Sequence, residues 1–178
     1  MEVCELRGWA VGWRSLAEWL WEGVDTFPAR NGLLKKPKLA PSGGDEGGFA
    51  PRCESTEAAL RLVVQAFEKA GYRPGQDIAV ALDAASSEFY DKQTKRYTFD
   101  KKQVDVDQSI SIYSALCDKY PIVSIEDGSA AADWDGWKKL TTVIGDRVQL
   151  VGDELFVTHT RRLQTCIERE VPNGASTK

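Results

Sequence analysis

The chain has 178 residues, 42% of them hydrophobic and 28% charged, which is enough apolar material for one soluble core. That length falls short of the roughly 250 residues of a closed eight-fold βα barrel, and a formal charge of −4 supplies no basic footprint for nucleic acid. No apolar run approaches the roughly 18 residues of a spanning helix, and the start has no signal-peptide pattern, so no membrane span and a cytoplasmic location are expected.

Residues 1–40 read as an atypical N-terminal segment. Four of the six tryptophans (Trp9, Trp13, Trp19 and Trp21) lie in the first 21 residues. Trp9, Trp13, Leu16 and Leu20 share one helical face, which predicts an amphipathic helix, read as a packing helix with a membrane-surface or partner-binding helix as the alternative. Pro28, Pro37, Pro41 and Gly43-Gly44 then mark a breaker-rich connection. Next comes Gly44-Asp-Glu46-Gly-Gly-Phe-Ala-Pro51, two acids flanked by glycines in a loop closed by proline. Such a loop brings backbone close to a ligand and presents carboxylates from it; the same composition also suits a generic turn.

Residues 41–178 are regular. A helix is expected over Ser55 to Tyr72, with a polar start, apolar positions Leu60, Val63, Val64 and Phe67, and a stop at Gly71 before Pro74. The apolar run Ile78-Ala-Val-Ala-Leu-Asp83 reads as a buried strand. Ser86 to Asp100 is a polar excursion in which Arg96-Tyr-Thr-Phe99 has the strand character of a hairpin. Ile110, Tyr113, Leu116, Cys117 and Tyr120 line a second helix, followed by the strand Pro121-Ile-Val-Ser-Ile-Glu126-Asp127. Trp134, Trp137, Leu140 and Ile144 line a third helix, stopped at Gly145 and followed by Val148-Gln-Leu-Val-Gly-Asp153-Glu154. A last helix spans about Thr160 to Arg169. This βαβαβα order predicts parallel strands.

Three successive strands thus end on carboxylates. In a parallel α/β sheet or barrel those ends converge on the face where sites are built. A lone acid there is often only the first polar residue of a loop, or a helix N-cap. Three would repel one another unless a cation neutralised them, and their oxygen ligands suit a hard ion such as magnesium. Cys4, Cys53, Cys117 and Cys166 are scattered without a C-x-x-C pair, which reads as reduced thiols rather than a zinc site or disulfide framework.

With Gly44 to Pro51, the segments Ala81-Leu-Asp83-Ala-Ala-Ser-Ser-Glu-Phe-Tyr90, Tyr120 to Asp127, Asp133-Trp-Asp-Gly-Trp137 and Val151-Gly-Asp153-Glu-Leu-Phe-Val-Thr158 resemble barrel segments of enolase, phosphopyruvate hydratase, in order and at compatible spacing. The resemblance covers about residues 33–168. It implies a partial TIM-like, enolase-type barrel of parallel strands and βα units. The implied activity is the magnesium-dependent, glycolytic dehydration of 2-phosphoglycerate to phosphoenolpyruvate, in a homodimer. Carried over by position, Asp83, Glu126 and Asp153 become magnesium ligands, Glu46 the general acid, and Lys178 the general base. A lysine base with magnesium is already known for enolase-superfamily sites. The chain departs from the family in its tryptophan-rich opening, in Glu154 where aspartate is usual, and in the small, polar Gly174-Ala-Ser-Thr177 before Lys178. His159 stands where asparagine is usual and reads as a surface residue. Because the family's separate N-terminal domain and the rest of the barrel are not in the sequence, the alternative is a non-catalytic enolase-derived fragment acting as a binding or interaction module.

Overall fold

A computed structural model describes residues 5–11, 53–157 and 159–176. Eight strands and four α-helices occur among them. They follow the order β1 (Glu5–Ala10), α1 (Thr56–Lys69), β2 (Ile78–Asp83), β3 (Tyr90–Asp91), β4 (Arg96–Phe99), β5 (Lys102–Val104), α2 (Val106–Lys119), β6 (Ile122–Glu126), α3 (Trp134–Ile144), β7 (Gln149–Gly152), α4 (Thr160–Arg169) and β8 (Gly174–Ala175). The main sheet runs β1-β2-β6-β7-β8, with β2, β6, β7 and β8 parallel and β1 antiparallel to β2. This is an open α/β fold of parallel strands and βα units, with no closed barrel among the described residues.

Each helix begins and ends where side-chain chemistry dictates. Ser55 caps α1 by accepting from the Ala58 N–H. Its far end closes in a Schellman motif: Gly71 at φ +91°, Gly71 N–H to Glu68 O, and Tyr72 N–H to Phe67 O. Asp105 and Gln108 form a capping box at the start of α2. Asp133 caps α3 through the Gly136 N–H and also accepts from the Tyr97 hydroxyl at 2.7 Å, which ties the helix to β4. The exposed His159 caps α4 through Nδ1, accepting from the Arg161 N–H, so the one histidine is a surface residue with a structural task.

The core lies between the sheet and its helices. Leu60 and Phe67 of α1, Val80 and Leu82 of β2, Ile125 of β6, Trp137, Leu140 and Ile144 of α3, and Leu150 of β7 are all buried. Five of the six residues of β2 are buried, as expected of a parallel strand covered on both faces. The polar excursion forms a small antiparallel sheet, β3-β4-β5. Its β4–β5 turn places Asp100 at φ +46° and Lys101 at +67°, the double left-handed conformation of a type I′ hairpin. The Asp100 carboxylate reaches back to the backbone N–H and hydroxyl of Thr56, fastening the insertion to the start of α1.

One sequence expectation is corrected at Trp9. Residues 5–10 form strand β1, paired with β2 from Glu5↔Asp83 to Ala10↔Ile78, so Trp9 does not begin a helical face. The alternation Glu5-Leu6-Arg7-Gly8 suits an extended backbone, and the unpaired edge of β2 supplies hydrogen-bond partners that a local helix cannot outcompete. The rest of that helix reading, at Trp13, Leu16 and Leu20, lies outside the described residues, as does the loop from Gly44 to Pro51.

Candidate metal centre

The parallel register brings the strand-end acids together. Asp83 is the residue directly paired with Glu126 across β2 and β6. Glu126 in turn pairs with Val151, and Asp153 follows two residues later at the end of β7. Backbone hydrogen bonds continue past the strand ends: Ala84 N–H to Glu126 O, Ser86 N–H to Asp127 O, and Asp127 N–H to Val151 O. The mouths of the three strands are therefore held side by side.

The electrostatics report the crowding. Burial holds the Glu126 carboxyl above the ordinary carboxylate range; the negative charges of Asp83, Asp153 and Asp127 push in the same direction, and the positive charge of Arg7 opposes them. Arg7, on β1, straddles the first two acids. Its Nη2 lies 3.9 Å from Asp83 Oδ2 and its Nη1 3.9 Å from Glu126 Oε2.

Asp127 has a different task from its neighbour Glu126. It is 4% exposed and sits in the left-handed region at φ +45°. Its Oδ1 accepts from the Asp153 N–H and its Oδ2 from the Glu154 N–H, each at 3.0 Å. Burial raises its carboxyl above the usual range while these two N–H groups pull it back down. The buried carboxylate is thus a clamp that fixes the loop carrying Asp153 to the strand end carrying Glu126. Gly152 completes the approach, because a Cβ there would lie 2.8 Å from the Phe156 ring and 3.1 Å from Leu155 Cβ. Arg162 of α4 latches the same loops together by donating to the carbonyls of Leu155 and Ala131.

Of the residues expected to act, the structure sets Asp83, Glu126 and Asp153 at neighbouring strand ends. Glu46 and Lys178 lie outside the described residues. The short strand leading toward Lys178 does form: Val151 pairs with Gly174 and Gly152 with Ala175, and Ser176 N–H donates to Gly152 O. Arg7 and Asp127 were not singled out from sequence as functional. For Arg7 the alternation of residues 5–8 suits a strand but does not name the strand it pairs with; for Asp127 the signal was a second acid directly after Glu126.

The three carboxylates match a hard divalent cation in chemical type and in their place at the strand ends. Their carboxylates are not drawn around a common point: among the described residues, no three Asp, Glu, His or Cys side chains are close enough to hold an ion. Arg7 supplies positive charge to Asp83 and Glu126, 3.9 Å from each.

An open sheet of parallel βα units with carboxylates at consecutive strand ends defines a barrel-type α/β domain whose C-terminal strand face carries the candidate site. The model of the family "Enolase, C-terminal TIM barrel domain" matches residues 2–178, and the chain belongs to that family. Membership supports an enolase-like lyase at the family level. No helix among the described residues is long and apolar enough to cross a membrane.

Proposed function

We propose that this chain is an enolase-type hydro-lyase that removes water from 2-phosphoglycerate to give phosphoenolpyruvate, with magnesium held by Asp83, Glu126 and Asp153. The observation that carries the reading is the register: Asp83 beside Glu126, with Asp153 two residues beyond the partner of Glu126. When bound, magnesium supplies positive charge against the substrate carboxylate as an enediolate develops. Lys178, as the neutral amine, takes the proton from the carbon next to that carboxylate. Glu46, as the carboxylic acid, protonates the hydroxyl that leaves as water. Asp127 holds the Asp153 loop in position through its two N–H contacts. The same reading carries a cytoplasmic setting in glycolysis and a homodimer, both by family membership.

The test is a coupled assay for phosphoenolpyruvate formed from 2-phosphoglycerate by the purified 178-residue chain, with and without magnesium, beside Glu46→Gln. Magnesium-dependent turnover that the substitution abolishes is the expected result. Protein shown to be folded but without turnover overturns it. That outcome would support the second reading, a non-catalytic enolase-derived binding module, which is favoured by one observation: Arg7 lies against both Asp83 and Glu126.

A further inference from the structure

We infer that the small β3-β4-β5 sheet is a docking face for an anionic lipid surface, an interaction that does not depend on the lyase reading. Between Tyr90 and Val104 five basic residues (Lys92, Lys95, Arg96, Lys101 and Lys102) stand against two acids, in a chain whose formal charge is −4. All five are exposed. The opposite face holds the sheet still. Tyr97 and Phe99 are buried, the Tyr97 hydroxyl bonds to Ser129 and Asp133, and Asp100 accepts from Thr56 at the start of α1. The cations therefore ride on a fixed platform.

Two features separate these cations from ordinary surface charge. Elsewhere Arg73, Lys119, Lys138, Lys139 and Arg147 are each held by a carboxylate, whereas Lys92, Lys95, Arg96 and Lys102 form no ion pair among the described residues. The acids of the sheet are turned to other uses: Asp91 stands opposite Arg96 in the register, yet its Oδ1 accepts from the Gln93 and Thr94 N–H groups, and Asp100 reaches Thr56. The second feature is the spread of the charge. It sits at both ends of β4, in the Lys92–Arg96 turn and the Lys101–Lys102 turn, roughly 10 Å apart along the strand. Charge divided between two turns fits a plane of anionic headgroups better than one small anion, and each cation held near such a plane adds to the attraction. Tyr97 and Phe99 face the core, so neither ring can stack on the bases of a nucleic acid.

The test is co-sedimentation of the full chain with vesicles of phosphatidylcholine, alone or mixed with phosphatidylserine, at about 0.1 M salt. Wild type should bind the mixed vesicles and not phosphatidylcholine alone, and about 1 M salt, which shortens the Debye length to about 3 Å, should release it. The double variant Lys92→Gln with Lys102→Gln, which removes one charge at each turn, should bind at least about tenfold more weakly. Arg61→Gln with Lys69→Gln takes the same charge from exposed positions of α1 and should stay within about threefold of wild type. An equal loss in the two double variants overturns the assignment to this sheet, because binding would then follow net charge alone. Absence of binding to the phosphatidylserine vesicles overturns the lipid surface, and retention of that same protein on immobilised heparin would assign the cations to a soluble polyanion instead.

Discussion

Replacing Asp127 by alanine removes the acceptor of two backbone N–H groups, those of Asp153 and Glu154, each held at 3.0 Å. Hydrogen bonds to a charged partner contribute about 1.5–3 kcal/mol each. The gross loss is offset in part because the buried carboxylate is itself disfavoured there, as its raised pKa shows. A further cost comes from the backbone: φ is +45°, a conformation that aspartate and asparagine tolerate better than alanine. A net loss of roughly 3 kcal/mol follows, which for a chain of this size lowers the melting temperature by roughly 6–12 °C. Asp127→Asn keeps one oxygen acceptor and the tolerance for φ > 0, so it should lose about half as much. Urea unfolding of the three proteins measures this directly, with the midpoint moving and the slope unchanged. A loss below about 0.5 kcal/mol in Asp127→Ala would refute the clamp, since two half-buried N–H groups cannot both lose a charged acceptor at so little cost.

The remaining predictions concern the core, a helix cap and pH. Trp137 is fully buried and its Nε1 has no hydrogen-bond partner among the described residues, so Trp137→Phe should cost about 1 kcal/mol or less, whereas Trp137→Ala should cost about 3–5 kcal/mol, both read from chemical unfolding. Asp105→Ala breaks the capping box of α2 and should cost about 1 kcal/mol by the same measurement. Glu126 and Asp127 both have carboxyls raised above their ordinary values, so the folded chain binds more protons than the unfolded one across that interval. The stability they contribute is present below the ordinary carboxylate range and lost as pH rises through their folded values. These two groups therefore contribute a loss of stability from acidic to neutral pH, opposed by Asp77, Asp91 and Glu170, whose carboxyls hydrogen bonds hold below their ordinary values. Glu126→Gln should flatten that slope and be more stable than wild type at neutral pH; a slope unchanged by the substitution would count against the crowding of charge at this site.

Much of the main sheet was legible because its signals are local. The runs ending at Asp83, Glu126 and Asp153 are apolar, β-branched and bounded by helices, and β2, β6 and β7 follow them closely. The four helices carry their own caps and periodicity, and the last runs from Thr160 to Arg169 as expected. What escaped depends on partners distant in sequence. β1 sits among tryptophans whose spacing also fits a helix, and only its six-residue pairing with β2 makes it a strand. β5, Lys102-Gln-Val104, is too polar and short to stand out, and the Asp100-Lys101 turn lacks the glycine that usually marks such hairpins. At the candidate site, the acids were legible as strand ends. Arg7 was not, because nothing near it in sequence shows that an antiparallel edge strand carries it to Asp83 and Glu126. The clamp made by Asp127 was equally hidden, since its partners are 26 and 27 residues away.

The central claim is that Asp83, Glu126 and Asp153 act together as one divalent-cation site. Manganese bound to the purified chain, counted by the loss of the free-ion electron paramagnetic resonance signal, tests it most directly. The account predicts one saturable site in wild type, with affinity falling at least about tenfold in each of Asp83→Asn, Glu126→Gln and Asp153→Asn. Manganese binding that is unchanged in all three variants would contradict it.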